Sequence, residues 1–175
     1  IIFTRELSSN TTASNCPIQT YTHIAAHIFI KAIINCGLAQ IPYTSRLYEA
    51  ITDVINGFES GVTQQECFND IHNRYDEYTT HGWCHTISNA MVVAASLLYG
   101  GGDFGKSICM SVETGFDTDC NGATVGSVLG MRNGAWSIDD KWTKPFNNLL
   151  DTSIFGVGRV NLSDMARKTI QHIEA

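Results

Sequence analysis

Apolar residues recur every three or four positions along most of the chain, which is the period expected of α-helices that bury one face. The clearest stripe consists of Leu47, Ile51, Val54, Ile55 and Phe58. A capping box, Thr63 to Glu66, then predicts the start of a helix that carries Cys67, Phe68, Ile71 and Tyr75. No convincing period-two strand pattern or hairpin signal interrupts these segments, so we predict an all-α fold.

Two further segments, residues 24–36 and 87–98, are apolar nearly all round, which predicts helices buried among other helices. Asp103 predicts the N-cap of a helix with an inward face of Phe104, Ile108, Cys109 and Val112. The last helix is predicted to turn Arg167 and Lys168 outward and to bury Leu162, Met165, Ala166, Thr169, Ile170 and Ile173. The whole pattern predicts a domain of seven or eight helices joined by short loops.

The composition narrows the class of protein. The chain has 175 residues, of which 43% are hydrophobic and 16% charged, as in an ordinary globular domain. Its formal net charge of −6 argues against a nucleic-acid partner, which requires a basic surface. Because no long apolar run occurs, we predict no membrane span. Residues 1–20 are polar and aperiodic, so we predict a lead-in there and one domain over residues 21–175.

The six cysteines bear on the cellular compartment. They are widely spaced, no CxxC pair occurs, and Cys36 and Cys109 lie in apolar helical patterns where a free cysteine packs as a small apolar residue. We therefore predict a reducing, cytoplasmic compartment, with scattered disulfides as the alternative.

One motif carries candidate metal chemistry. Asp117, Asp119 and Asn121 stand at alternate positions and are followed by Gly122, which matches the first half of a calcium-binding EF-hand loop. The second half requires a bidentate glutamate at the twelfth position of the loop, and Val128 stands there. Calcium binding of this type is therefore excluded. The remaining alternatives are a site for another cation and a simple helix cap at Asp117.

Glycines recur at every fourth position after this motif, at Gly122, Gly126, Gly130 and Gly134. Each glycine inside a helix costs about 1 kcal/mol relative to alanine, so the stripe requires a reason. We expect one helix whose glycine face lets a neighbouring element approach closely and fixes a recessed helix start. Two carboxylates buried together at that start would need a cation, because desolvation and mutual repulsion otherwise leave one of them protonated.

These residues resemble the carboxy-terminal metal motif of the ADP-ribosylglycohydrolase family. The resemblance rests on "GFDTDCNGATVGSVLG", on "HTISNAMVVAASLLYGGGDFGKSI" before it, on "WTKPFNNLL" and "VNLSDMARKTI" after it, and on "LAQIPYTSRLYEAI" near residue 40. It extends from about residue 21 to the last residue. It implies a compact multi-helix orthogonal bundle, of which this chain is the carboxy-terminal portion.

The resemblance implies a metal-dependent hydrolase that cuts the glycosidic bond between ADP-ribose and a protein side chain or a small leaving group. It implies two Mg²⁺ ions, with Mn²⁺ as the other candidate, and it assigns the metal ligands to Asp117, Asp119 and Cys120. Cys120 departs from the hydroxyl residue that many members carry, and a thiol is a poor Mg²⁺ ligand. The family's Thr-Asp-Asp motif does not occur in these 175 residues. We therefore expect a missing amino-terminal segment to complete the site.

The remaining candidates concern substrate binding. His85 and Asn89 are four residues apart on one predicted helix face and are candidates to contact the substrate, and Phe116 is a candidate to stack on adenine. A histidine bonded within the core and ordinary aromatic packing are the alternatives. The segment from His81 to His85 offers zinc-type ligands but lacks a second pair at finger spacing. The sequence assigns no catalytic acid or base, and a non-catalytic module that binds ADP-ribose or a related nucleotide is the alternative function.

Overall fold

The computed structural model describes residues 29–174, so the predicted lead-in over residues 1–20 lies outside the described residues. The chain divides into two compact units, Ile1–Arg132 and Asn133–Ala175. From residue 29 onward the first unit contains six helices: α1 at residues 29–38, α2 at Arg46–Glu59, α3 at Gln64–Arg74, α4 at Thr86–Gly100, α5 at Phe104–Glu113 and α6 at Thr118–Asn133. The all-α prediction is confirmed.

Helix α4 lies at the centre of the first unit. It packs against α2, α3 and α5, and its buried apolar residues include Met91, Val92, Leu97 and Leu98. The predicted all-round apolar helix is therefore confirmed for this segment. The helix ends where Gly101 adopts a left-handed conformation with φ of 62°, which glycine adopts without steric cost.

The predicted helix starts are confirmed where the capping signals are local. The Thr63 hydroxyl accepts a hydrogen bond from the Glu66 N–H, and the Glu66 carboxylate accepts one from the Thr63 N–H at 2.9 Å. Asp103 likewise caps α5, because its carboxylate accepts a hydrogen bond from the Lys106 N–H at 2.7 Å. The apolar stripe of α2 is also inward, with Ala50, Ile51, Val54 and Ile55 buried.

Helix α5 differs from its predicted burial. Its buried residues are Ser107, Met110 and Ser111, whereas Cys109 and Val112 are exposed. The buried serines are explained by close packing on α4, where a methyl group added at Gly100 would overlap Ser107. The predicted apolar face meets the glycines of α6 instead. A Cβ atom at Gly126 would lie 3.3 Å from Ile108, and one at Gly122 would lie 3.1 Å from Val112.

The glycine stripe is thus confirmed as a face of close approach, with one correction. Gly134 does not belong to the helix, because α6 ends at Asn133 and Gly134 has φ of 81°. The four-residue spacing of the glycines placed Gly134 inside the helix. The structure instead places it after the end of the helix, in a left-handed conformation that other residues avoid.

Helix α1 is less buried than predicted. Within residues 29–38, Ile30 and Leu38 are buried, but Phe29 and Ile33 are exposed. Lys31 forms an ion pair with Glu59 at the last residue of α2. Residues 24–28 of the predicted helix lie outside the described residues.

The second unit contains a short helix α7 (Asp140–Thr143), two strands and the helix α8 (Leu162–Glu174). Strand β1 (Leu149–Asp151) pairs antiparallel with β2 (Arg159–Asn161), with Leu150 opposite Val160. Arg159 bridges to Asp151 through two hydrogen bonds of 2.7 and 2.9 Å. This small sheet leaves the all-α class unchanged, and it gave no strand pattern in the sequence because three-residue strands are too short to show a period of two.

The inward face predicted for the last helix is also wrong. None of the residues of α8 is buried, and Leu162, Met165, Ile170 and Ile173 are exposed. An amphipathic pattern predicts a helix but does not by itself provide a layer that covers its apolar face. Across residues 29–174, no helix combines the length and the apolar character that crossing a bilayer would require.

Candidate metal centre

Three predicted metal ligands come together at the start of α6. One ligand atom each from Asp117, Asp119 and Cys120 can be chosen so that all lie within 4.8 Å of one another. Asp117 is half-buried, while Asp119 and Cys120 are exposed. The predicted recess therefore holds only for Asp117, and burial alone does not force a cation onto the pair.

The Cys120 thiol is held in its protonated form by the cluster. A hydrogen bond to the Asp117 carboxylate and the charge of Asp117 raise the pKa of Cys120 above its ordinary value, and the charge of Asp119 adds to the effect. A protonated thiol is not a metal ligand, because the thiolate is the form that coordinates. Without a cation beside it, the raised pKa of Cys120 therefore favours the thiol.

The side chain of Asn89 fixes the main chain at Asp117. Its Oδ1 accepts hydrogen bonds from the Asp117 N–H at 3.1 Å and from the Asn121 side chain at 2.7 Å. Its Nδ2 donates to the carbonyl groups of Trp83 at 2.9 Å and His85 at 3.0 Å. The amide thus makes four hydrogen bonds within the protein. Its predicted contact with substrate stays a prediction, and what the geometry gives Asn89 is a positioning role.

A cavity of about 560 Å³ opens beside this cluster, between α1, α2, α4 and α6. One wall is polar and consists of Asp117, Cys120, Asn121 and Thr124. The other walls are largely aliphatic and include Ile34, Leu38, Leu47, Ile51, Val93 and Leu97. A few convergent polar groups in an otherwise apolar cavity are typical of a small-molecule site.

His85 stands at the N-cap of α4 rather than on its face. Its ring stacks on Tyr75 with centroids 5.2 Å apart and meets the edge of the His81 ring at 5.4 Å. Its Nδ1 atom is buried and has no hydrogen-bond partner. Contact of His85 with substrate stays a prediction, since the ring has aromatic neighbours of its own.

The Phe116 ring has a protein partner on its face. It is 6% exposed and stacks on His72 with ring centroids 4.6 Å apart. This is the aromatic packing that was the alternative to stacking on adenine, and the geometry offers no support for the adenine role.

The cluster at Asp117 stands alone as a place for a metal ion in the described part of the chain. No other group of three His, Cys, Asp or Glu side chains in residues 29–174 is close enough to share an ion. The zinc reading of the segment from His81 to His85 therefore finds no support.

Two residues at this site were missed by sequence reasoning. Asn121 is 2% exposed, and its side chain donates to Asn89; its alternate position in the motif was visible, but its burial was not. Glu77 accepts a hydrogen bond from the Phe116 N–H at 2.6 Å. It lies 39 residues from its partner, and no local pattern indicates such a contact.

The donor atoms fit a hard cation in part. Two carboxylates suit Mg²⁺ or Mn²⁺, whereas the thiol of Cys120 does not. Mg²⁺ takes about six oxygen ligands in octahedral geometry and usually keeps several waters. Asp117 and Asp119 can therefore hold one side of such an ion, and the other ligands must come from water, from substrate or from other residues.

Comparison with known proteins identifies the family of the chain. The sequence model of the family described as ADP-ribosylglycohydrolase matches residues 12–174. Neither the curated proteins nor the solved structures contained a match. The family hydrolyses glycosidic bonds of ADP-ribose conjugates, and its members generally bind metal ions. Since the match covers nearly the whole chain, the chain belongs to the ADP-ribosylglycohydrolase family.

Proposed function

We propose that this protein hydrolyses the glycosidic bond between ADP-ribose and a protein side chain or a small leaving group, with Mg²⁺ as its metal and Mn²⁺ as the other candidate. The observation that carries the proposal is the approach of Asp117, Asp119 and Cys120 to within 4.8 Å beside a cavity of about 560 Å³. The family supplies the class of reaction, and the carboxylates supply ligands of the right chemistry.

In this proposal some residues of the chain bind the metal ions and others keep those ligands in position. Asp117 and Asp119 would hold the ions, two of them in the complete site, and Asn89 keeps the Asp117 peptide in place. When bound, the ions would orient the ribose hydroxyls and a water beside the anomeric carbon. The bond from that carbon to the leaving group breaks, the water oxygen takes its place, and the leaving group receives a proton. The further ligands would come from water, from substrate or from other residues.

Cys120 favours one alternative, a module that binds ADP-ribose without cleaving it. The neighbouring carboxylates raise the pKa of its thiol and disfavour the thiolate. A position that carries a hydroxyl in many relatives is thereby a poorer ligand here. Calorimetry that shows metal-dependent binding of ADP-ribose, together with no release of ADP-ribose from any conjugate, would favour this alternative.

The test compares two aspartates that both stand at helix starts. Asparagine caps a helix as well as aspartate does, so Asp103→Asn preserves the cap of α5, and both substitutions, Asp117→Asn and Asp103→Asn, keep the size of the side chain. Only Asp117→Asn removes a proposed metal ligand. We expect Asp117→Asn to lower the release of ADP-ribose from ADP-ribosylated protein in Mg²⁺ by at least about 100-fold, the equivalent of roughly 3 kcal/mol. It should also remove the calorimetric signal of Mg²⁺ binding.

Asp103→Asn serves as the control, and we expect it to change neither measurement by more than about twofold. Equal activity and equal Mg²⁺ affinity in the Asp117→Asn protein and the unchanged protein would contradict the proposed function.

A further inference from the structure

The backbone immediately before Asp117 is in an unusual conformation. Gly115 has φ of 91°, and Phe116 has φ of 59°. A left-handed conformation costs a residue with a side chain roughly 1–2 kcal/mol, and bulky residues rarely adopt it. Such a conformation persists only where the surrounding structure fixes it, and it occurs often beside functional sites.

The carboxylate of Glu77 fixes this turn from the loop between α3 and α4. It accepts a hydrogen bond from the Phe116 N–H at 2.6 Å. The carboxylate also lies directly over Gly115, where an added Cβ atom would be 2.9 Å from Oε2. The bond therefore depends on the absence of a side chain at position 115.

The imidazole ring of His72, near the end of α3, contacts the same turn at two residues, Thr114 and Phe116. Its Nε2 lies 2.9 Å from the Thr114 carbonyl oxygen and 3.2 Å from the Thr114 hydroxyl. Its ring covers the face of Phe116. Both contacts favour the same backbone conformation that Glu77 favours.

Two consecutive peptide N–H groups are thus held by side chains from different elements. The Phe116 N–H donates to Glu77, and the Asp117 N–H donates to Asn89 on α4. With both groups bonded, the main chain at Asp117 is fixed from both directions, and its side chain is left to bond Cys120 and to face the cavity.

We propose that Glu77 is a positioning residue: its carboxylate holds the left-handed turn at Gly115 and Phe116 and thereby sets the place of the Asp117 ligand. The importance of this role for metal binding rests on the proposed function, whereas the hold on the turn does not. Glu77 does not itself approach the metal in this account. It acts through the Phe116 peptide.

The experiment uses Glu77→Ala, Glu77→Gln and a control at the neighbouring acid. Asp76 carries the same charge in the same loop, but its carboxylate accepts a hydrogen bond from the Tyr78 N–H at 2.8 Å, within its own turn. Asp76→Ala therefore removes a loop carboxylate that bonds Tyr78 rather than Phe116. Two quantities are measured for each protein: amide hydrogen exchange at Phe116 and Asp117 without metal, and the Kd for Mg²⁺ by calorimetry.

We expect Glu77→Ala to accelerate exchange at Phe116 by about tenfold or more and to weaken Mg²⁺ binding by about tenfold. Glu77→Gln should restore both to within about threefold, because the amide oxygen still accepts a hydrogen bond. Asp76→Ala should leave both quantities unchanged. Rescue by glutamine separates the hydrogen bond from the charge, and a general loosening of the loop would not produce it.

The inference is overturned if Glu77→Ala leaves exchange at Phe116 unchanged, or if Asp76→Ala accelerates it equally. Another outcome would distinguish a failure of the proposed function from a failure of this inference. If the unchanged protein binds no Mg²⁺ while exchange at Phe116 rises only in Glu77→Ala, the proposed function fails and the role of Glu77 in holding the turn stands.

Discussion

Two helix starts in the first unit, those of α3 and α6, are held in opposite ways. At α3 the partners are Thr63 and Glu66, three residues apart, and they satisfy each other's N–H groups. At α6 the Asp117 N–H donates to Asn89, 28 residues away, and the Phe116 N–H before it donates to Glu77, 39 residues away. The first start is self-contained, whereas the second is attached to two other parts of the unit.

The two kinds of support have different effects: a local cap stabilises its own helix, and bonds to distant residues fix where a helix start lies. A capping box stabilises its own helix wherever that helix lies, because all of its atoms belong to one turn. Bonds to α4 and to the loop before it fix where the first turn of α6 lies relative to those elements. A metal ligand needs the second kind of support, since the geometry of coordination depends on position as much as on the presence of the carboxylate.

The largest effect should come from removing the amide that supports α6. Asn89→Ala removes the hydrogen bonds that its side chain makes to the Asp117 N–H, the buried Asn121 side chain and the Trp83 carbonyl, whereas the His85 carbonyl keeps the bonds from the Ser88 hydroxyl and the residue 89 N–H. We expect a loss of roughly 2–4 kcal/mol in the free energy of unfolding. Thr63→Ala should cost about 1 kcal/mol, the usual value for a cap.

Urea unfolding of both variants measures this contrast. Equal losses would show that the long-range support of α6 contributes no more than a local cap. Mg²⁺ affinity gives a second contrast, since only Asn89→Ala should weaken it.

We expect smaller losses of stability from substitutions at two glycines, which distinguish the strain of a left-handed backbone from the contact with Glu77. Gly115 and Gly61 have similar φ values of 91° and 84°, but an added Cβ atom would meet Glu77 only at position 115. We expect Gly61→Ala to lose about 1 kcal/mol of stability from the left-handed backbone. Gly115→Ala should lose about 1–2 kcal/mol more, because the carboxylate must move.

The double variant Gly115→Ala with Glu77→Ala sharpens this test. If the extra loss arises from the contact, removing the carboxylate should make the second substitution less costly than it is alone. Purely additive losses in urea unfolding would instead assign the whole effect to the backbone.

The smallest effect concerns pH at the local cap. Hydrogen bonds from the Thr63 N–H and hydroxyl lower the pKa of Glu66 below its ordinary value of 4.5. A lowered pKa in the folded state means that the contribution is fully present above about pH 4.5 and is lost as the pH falls through the folded-state value. The stability difference between the unchanged protein and Glu66→Gln should therefore shrink on acidification.

Thermal unfolding of both proteins between about pH 6 and pH 3 measures that difference. A constant difference across this range would contradict the assigned cause. Since Glu66 is exposed at a local cap, neither the size nor the pH dependence should change on addition of Mg²⁺.

Much of the fold of the first unit could be predicted because its signals are local. The stripe of α2, the capping box at Thr63 and the cap at Asp103 each involve residues within one or two turns of each other. The proposed metal ligands of the motif are equally close together in sequence, and so their clustering could be predicted as well.

The rest depends on contacts between distant residues, which leave no periodic trace. Glu77 is one acidic residue in an irregular loop, and no pattern in the neighbouring sequence indicates that Phe116 is its partner. Burial also depends on what covers a face. The serines of α5 are buried because α4 lies against them, and the apolar side of α8 is exposed although its pattern is strongly amphipathic.

The hydrogen bonds of Asn89 have a consequence for how the first unit comes apart. One amide bonds the loop at Trp83, the start of its own helix at His85, and the starts of α6 at Asp117 and Asn121. A local fluctuation that frees the loop breaks a bond of the amide nitrogen, and one that frees the first turn of α6 breaks bonds of the amide oxygen on the same side chain. Because one side chain anchors both segments, we expect opening of the loop to loosen the turn at Asp117 as well, so cleavage by a protease near Trp83 should report on the opening of that turn.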